Sequence, residues 1–600
     1  MSYGHWSYGR RCCGRRGRRS RIAGFLAALT AAALAVTACS GTRPPAGPHP
    51  VTPPDPLAAR THAPAAATVV LPATSADGLT AGVARQLFQS APVVVVSADT
   101  PAAVAAAAAD ARRFAAPLLL AGAAAAKVGT DAGRSAPPQN PPASGAAASR
   151  GGPPAQSTQS TVAARPARYT RAGASPPPTP RPAPAAGASP PVRAPAPARA
   201  AVPSSPITPA LRTEISSLHP RDVLAVGMPA TAVAGRLPGL DVTGTPGALP
   251  ATAAPRPLSH VAVLVPAGDP AVAAAVTATA QAAGAVAIPV QGSDPRADPA
   301  AISALAAAKP ADVVAAGPGF GPPGTLAYRM AVAATGVQLP GGGQLVFPGH
   351  RLVALYGNPE SPALGALGQQ DLPAAIARAR QMAALYRPLS SLPVVPAFEI
   401  IATVALGAPG PEGTYSAITS LATLRPWVSA ATAAGFYVVL DLQPGRASLL
   451  DQAKMYEPLL AMPNVGLALD SEWKLQPGQL PLHQIGSVSI GEVNGVARWL
   501  AGLTAGLHLP QKLLVLHQFR LSMIQNELDL DTGNDDLAIV VHMDGQGTPG
   551  VKQETWNAVT GAAPHGVYFG WKNFFVKDHP MLDPQETMSK VPAPVMISYQ

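Results

Sequence analysis

Between Arg351 and Gln600, short apolar runs recur at 351–356, 394–404, 435–441, 465–470, 513–519, 537–544 and 566–571, and helical or Pro/Gly-punctuated stretches separate most of them. Most of the runs are continuous and rich in Val, Ile or Leu, the pattern of strands buried on both faces. Strand alternating with helix over about 250 residues predicts a (β/α)8 TIM barrel across 350–600. Polar residues fall at the C-terminal ends of the runs: Asp441, Asp470 with Glu472, His517 with Gln518, and His542 with Asp544. In a barrel, that end is the rim on which sites are built.

Six hundred residues are too many for one core, and the chain before the barrel reads as two small Rossmann-like αβ units. The first is expected over 68–248, with strand-like runs at 68–72, 92–98, 116–121 and 222–227 and helices at 79–89, 101–114 and 207–218. It is interrupted at 122–206 by Pro, Ala, Gly, Ser and Arg with almost no large apolar residue. Such a tract buries too little surface to offset chain entropy and is expected to be disordered. The second unit, 258–335, has strands at 259–265, 285–290 and 311–316 around helices at 269–283 and 299–308. Gly317 to Gly324 superficially suggests a phosphate loop, but prolines at 318, 322 and 323 remove the N–H groups it needs, and no Lys-Ser/Thr follows.

The net charge of +11 is unevenly spread. Residues 1–38 hold seven Arg and no acid, and 127–205 hold nine Lys/Arg against Asp131 alone. The remainder has 27 cations and 31 acids, net −4, so the basic pI is weak evidence for nucleic acid and none is expected as a partner.

The Arg-rich start precedes an apolar stretch from Ile22 to Ala38, 17 residues long and short for a membrane span. It ends Val36-Thr37-Ala38-Cys39-Ser40-Gly41, which resembles a bacterial lipobox. The resemblance implies cleavage before Cys39, a lipid on its sulfur, and an extracytoplasmic protein anchored to the membrane; residues 39–67, rich in Pro, Ala and Thr, read as a disordered stalk. Cys12 and Cys13 would leave with the leader, so no disulfide, Cys-based zinc site or thiol chemistry is expected in the mature chain.

Val93-Val-Val-Val-Ser97, the Ala-rich helix to Arg112-Arg113, Ala116-Pro-Leu-Leu-Leu-Ala-Gly122 and Arg221-Asp-Val-Leu-Ala-Val-Gly-Met228 together resemble one copy of the type 2 cell-wall-binding repeat of Gram-positive surface proteins. That implies attachment to cell-wall polysaccharide or anionic wall polymer. A generic small αβ domain remains the other reading.

The rim of the predicted barrel supplies the candidate chemistry. Asp470 and Glu472 share a face of extended chain, and Trp473 beside them suits stacking on a sugar ring. With Asp544 across the rim they are the candidate catalytic carboxylates, since glycoside hydrolysis needs two at a defined separation. Glu399, Asp441, His517, Gln518, His542, Trp571 and Lys572 are candidate substrate-binding residues, and Asn573 beside them can bind hydroxyls. The set resembles a glycoside-hydrolase-type TIM barrel and the barrel of actinobacterial lipoproteins. It departs from common signatures: there is no Asp-x-x-Asp-x-Asp-x-Glu run and no Asn-Glu pair ending the fourth strand. No cofactor and no metal are expected; Asp529, Asp531, Asn534, Asp535 and Asp536 lack the EF-hand spacing and read as a solvated loop. Three functions stay open: a wall-binding lipoprotein with a glycosidase-like barrel, an active glycoside hydrolase, and a solute-binding lipoprotein.

Overall fold

The computed structural model describes residues 57–121 and 207–600, all within one compact unit, Pro56–Gln600. The expected leader, Cys39 and the insertion 122–206 lie outside the described residues.

Eight parallel strands close into a barrel: β1 Arg351–Gly357, β2 Val394–Ala405, β3 Tyr437–Leu442, β4 Val465–Asp470, β5 Lys512–Gln518, β6 Leu537–Met543, β7 Tyr568–Asn573 and β8 Met596–Tyr599. β1 pairs with both β2 and β8, which completes the ring. Seven of the eight follow the apolar runs. β8 carries no comparable signal, because it is four residues long and follows Val591-Pro-Ala-Pro594. A short strand, Ser416–Ile418, adds antiparallel to the extended end of β2.

Leu352, Ala354, Val395, Ala397, Val439, Ala468, Val515, Val540 and Met596 fill the barrel interior. The segment leading into β1 contributes Leu339, Val346 and Phe347 to the same cluster. One residue from each strand then forms an inward layer at the C-terminal end: Tyr356, Glu399, Asp441, Asp470, His517, His542, Lys572 and Ser598. This layer steps by two residues at four of the eight strand junctions and by none at the others, a shear of eight, as a TIM barrel requires.

The chain before the barrel builds two four-stranded parallel sheets. One runs Leu118–Ala121, Val93–Ala98, Asp222–Val226, Asp241–Thr243, and the other Val286–Val290, Val261–Pro266, Asp312–Ala315, Thr68–Val70. Thr68–Val70, expected in the first unit, instead pairs with Asp312–Ala315 in the second sheet. The two sheets share one hydrophobic cluster, which helix Pro270–Ala282 joins through Val272, Ala275 and Val276. Its Thr279 hydroxyl also bonds both the N–H and the carbonyl of Leu118 on an edge strand. The end of the expected stalk is likewise built in: Leu57–Ala58 pairs with Thr252–Ala253, and Arg60–Thr61 with Phe88–Ser90.

An ion-pair network joins the second sheet to the barrel. Arg296 is 2% exposed and reaches Asp294 at 2.8 Å and Asp535 at 2.9 Å. Arg329 grips Asp535 with two bonds, at 2.7 and 2.8 Å, and the Tyr328 hydroxyl bonds Asp536. The loop expected to be merely solvated is therefore a docking point at Asp535 and Asp536. Among the described residues no helix is long and apolar enough to cross a membrane.

Candidate active site

The inward layer is polar at all eight positions, although each strand is apolar below it. Strand parity explains the arrangement. Residues two apart share a face, so Ala397 and Glu399, Val439 and Asp441, Ala468 and Asp470, Val515 and His517, and Val540 and His542 each place an apolar group in the barrel and a polar one above it. Gly570 holds the corresponding lower place on β7. A Cβ there would lie 2.1 Å from Nδ1 of His542, so the glycine makes room for that ring.

His517 organises the cluster. Its Nε2 lies 2.9 Å from Oε1 of Glu399 and 3.9 Å from Oδ1 of Asp441, and its Nδ1 lies 3.2 Å from Oδ2 of Asp544. Burial alone would favour the neutral ring, but Glu399 and Asp544 hold the imidazole's pKa well above its ordinary value. For Glu399 and Asp544, burial acts to raise the pKa; contact with His517 outweighs it and holds both below the usual carboxylate range. His542 is different. Burial pushes it down to about 3, so the ring is neutral, with Nε2 2.7 Å from Oγ of Ser598.

The other carboxylates move upward. Asp441 is raised to about 6 by burial, with the Glu399 charge adding to the effect, while it accepts a 2.7 Å bond from the Tyr356 hydroxyl. Glu472 is raised to about 7 by burial and the Asp544 charge. Burial and the charges of Asp441 and Glu472 lift Asp470 well above the carboxylate range. Carboxylate oxygens of Asp470, Glu472 and Asp544 lie within 4.8 Å of one another. The Lys572 ammonium sits 3.5 Å from the centre of the Tyr356 ring, a cation–π contact.

Of the residues singled out in the sequence, Glu399, Asp441, Asp470, Glu472, His517, His542, Asp544 and Lys572 come together at this end of the barrel. Trp473 lies half-buried in the turn Ser471–Trp473 that carries Glu472. Trp571 and Gln518 do not join them, because each is one residue out of phase with an inward neighbour. Trp571 is fully buried with Trp556, Met543 and Leu582, and its Nε1 donates to Asn573. Asn573 in turn donates to Thr587. Gln518 donates to Glu527. Asn358, at the end of β1, donates to the Ile401 carbonyl.

Four members of the arrangement have no place among the sequence candidates. Tyr356 ends the first run and was readable by the same strand-end rule as Asp441. Ser598 was hidden with β8. Lys552 and Asp578 gave no signal: the Lys552 ammonium, buried in helix Pro549–Ala562, donates to the Lys572 carbonyl at 2.7 Å and to Asp578. Asp578 also accepts from Gly547 and Phe574 at 3.0 and 2.9 Å, tying the loops after β6 and β7 to that helix.

Among the described residues two trios have the spacing to hold a metal ion, Glu399/His517/His542 and Asp470/Glu472/Asp544. In the first, His517 and His542 already face Glu399 and Ser598. In the second, Oδ1 of Asp470 and Oδ1 of Asp544 are buried with no hydrogen-bond partner among the described residues. No protein-family model matches the chain, and no curated protein matches it.

Proposed function

We propose that the barrel hydrolyses a glycosidic bond of an envelope or external polysaccharide, with Glu472 as the acid and Asp544 as the nucleophile. One observation carries the reading: the two carboxyls are neighbours whose surroundings push them in opposite directions. Glu472 is raised to about 7 and Asp544 is held low beside His517. Paired carboxyls driven apart in this way divide into a proton donor and an ionised partner. Their oxygens lie within 4.8 Å, which favours the close-spaced, retaining geometry over one with a water between them.

In that mechanism Glu472 gives its proton to the glycosidic oxygen while Asp544 attacks the anomeric carbon. The leaving sugar departs as an alcohol and an ester to Asp544 forms. Glu472, now a carboxylate, takes a proton from water as that water attacks the same carbon, and Asp544 is released. The His517 imidazolium holds Asp544 ionised, and Glu399 holds His517. Lys572 and Asp441 are buried against Tyr356.

The setting is extracytoplasmic. The lipobox-like Val36–Cys39 supports a membrane anchor through Cys39, and the resemblance of the first αβ unit to a cell-wall-binding repeat supports attachment to wall polymer. A second reading, a wall-binding lipoprotein whose barrel is only a scaffold, is favoured by burial of the cluster: Asp470 and Asp544 are 2% and 7% exposed. The test is incubation of the purified protein with cell-wall polysaccharide fractions. New reducing ends from the wild type, absent with Glu472→Gln and with Asp544→Asn, support the hydrolase. Sedimentation with the wall fraction and no new ends support the scaffold.

A further inference from the structure

The barrel mouth gathers five carboxyl side chains, Glu399, Asp441, Asp470, Glu472 and Asp544, around His517, His542 and Lys572. Ion pairing to His517 involves Glu399 and Asp544, with Asp441 at 3.9 Å, and none of these contacts reaches Asp470 or Glu472. Asp470 is 2% exposed and its Oδ1 has no partner among the described residues; Oδ1 of Asp544, 7% exposed, has none among them either. Buried carboxylate oxygens left unbonded are costly, and these belong to two of the three groups whose oxygens converge within 4.8 Å.

We propose that Asp470, Glu472 and Asp544 form a binding site for one divalent cation of the oxygen-preferring class, such as Mn2+, Mg2+ or Ca2+. Three carboxylates supply hard oxygen ligands from the end of β4, the turn after it and the end of β6, a donor set that suits these ions. The ion supplies the partner that Oδ1 of Asp470 and Oδ1 of Asp544 lack among the described residues. The Lys572 ammonium lies over the Tyr356 ring, and within the trio His517 pairs with Asp544 alone.

Binding does not depend on the hydrolase reading, but one consequence does. A carboxylate that ligates a metal must be ionised, so Glu472 cannot hold the ion and the acid's proton together. The cation therefore opposes hydrolysis and must leave before the substrate reacts.

The experiment is titration of the full chain with Mn2+, followed by electron paramagnetic resonance of free Mn2+ and by NMR of the histidine rings. The result expected is one saturable site below millimolar, weakened about tenfold or more by Asp470→Asn and by Asp544→Asn. Asp531→Asn, in an exposed acidic loop, leaves it unchanged. Bound Mn2+ also broadens the His517 ring signals in the wild type, a readout that survives if a variant fails to fold. No saturable binding, unbroadened histidine signals, or loss of the site with Asp531→Asn would overturn the proposal. Mn2+ binding by a protein that releases no reducing ends would leave the cation site standing and remove the hydrolase.

Discussion

The imidazole of His517 on β5 meets the carboxylate of Glu399 on β2 at 2.9 Å across the barrel, with both side chains fully buried. Each holds the other charged where burial alone would neutralise both. Truncation of one partner leaves a buried charge unanswered. His517→Ala should destabilise the protein by about 3–5 kcal/mol, read as a lower midpoint in urea. Glu399→Gln, which removes the charge but keeps the shape, should cost less.

The same pair fixes a pH dependence. Glu399 is lowered on folding, so its contribution is present above the unfolded value near 4.5 and lost as pH falls through the folded one. His517 is raised, so its contribution is complete below 6.5 and lost as pH rises through its folded value. The pair therefore contributes most between those two pH values. His542, held to about 3, should remain neutral throughout that interval while His517 stays protonated. NMR titration of the two rings checks this, and a His542 that charges near pH 6 contradicts it.

Activity should follow Glu472. Its proton is required and its pKa is about 7, so kcat/KM should fall as pH rises through about 7. On the acid side Asp544 must be ionised, and its lowered pKa shifts that limb below the ordinary carboxylate range. Glu472→Gln should lower kcat by about 100- to 10,000-fold and abolish the alkaline limb.

Gly570→Ala should displace His542, since its Cβ would fall 2.1 Å from Nδ1 of that ring. Crowding of this kind costs about 1–3 kcal/mol. The thermal midpoint should drop, and the His542 ring signals should shift more than those of His517.

Much of this site was readable because strand chemistry is simple. Strands buried on both faces had to be apolar, so the polar residue ending each run stood out. Asp441, Asp470, His517 and His542 follow from that rule, Glu399 stands out as a carboxylate inside an apolar run, and Glu472 meets Asp470 through the turn Ser471–Trp473 and not along extended chain. Parity, applied strictly, also separates Lys572 from Trp571 and Asn573, and His517 from Gln518; neighbours on a strand cannot line the same mouth. β8 was missed because four residues beside Pro592 and Pro594 make too short a pattern. Thr68–Val70 went to the wrong sheet because its partners, Val313 to Ala315, lie more than 240 residues away. The role of Asp535 depends on Arg296 and Arg329, which no local pattern links to it.

That distant contact carries its own expectation. Asp535→Ala leaves Arg296, 2% exposed, with the Asp294 carboxylate and the backbone carbonyl of residue 535, and removes both bonds to Arg329. The cost should be about 2–3 kcal/mol, with the barrel and the preceding sheets losing their shared unfolding transition in calorimetry. A single unchanged transition would contradict the coupling.

The division of labour between Glu472 and Asp544 is tested most directly by azide rescue on an activated aryl glycoside of the sugar that the wild type releases, whose phenolate departs without a proton from Glu472. Asp544→Ala with azide should regain turnover and give a glycosyl azide of inverted anomeric configuration, because azide replaces the missing nucleophile. Glu472→Ala with azide should give one of retained configuration, because azide then attacks the ester on Asp544. Azide adducts from neither variant, or retained configuration from Asp544→Ala, would contradict the account.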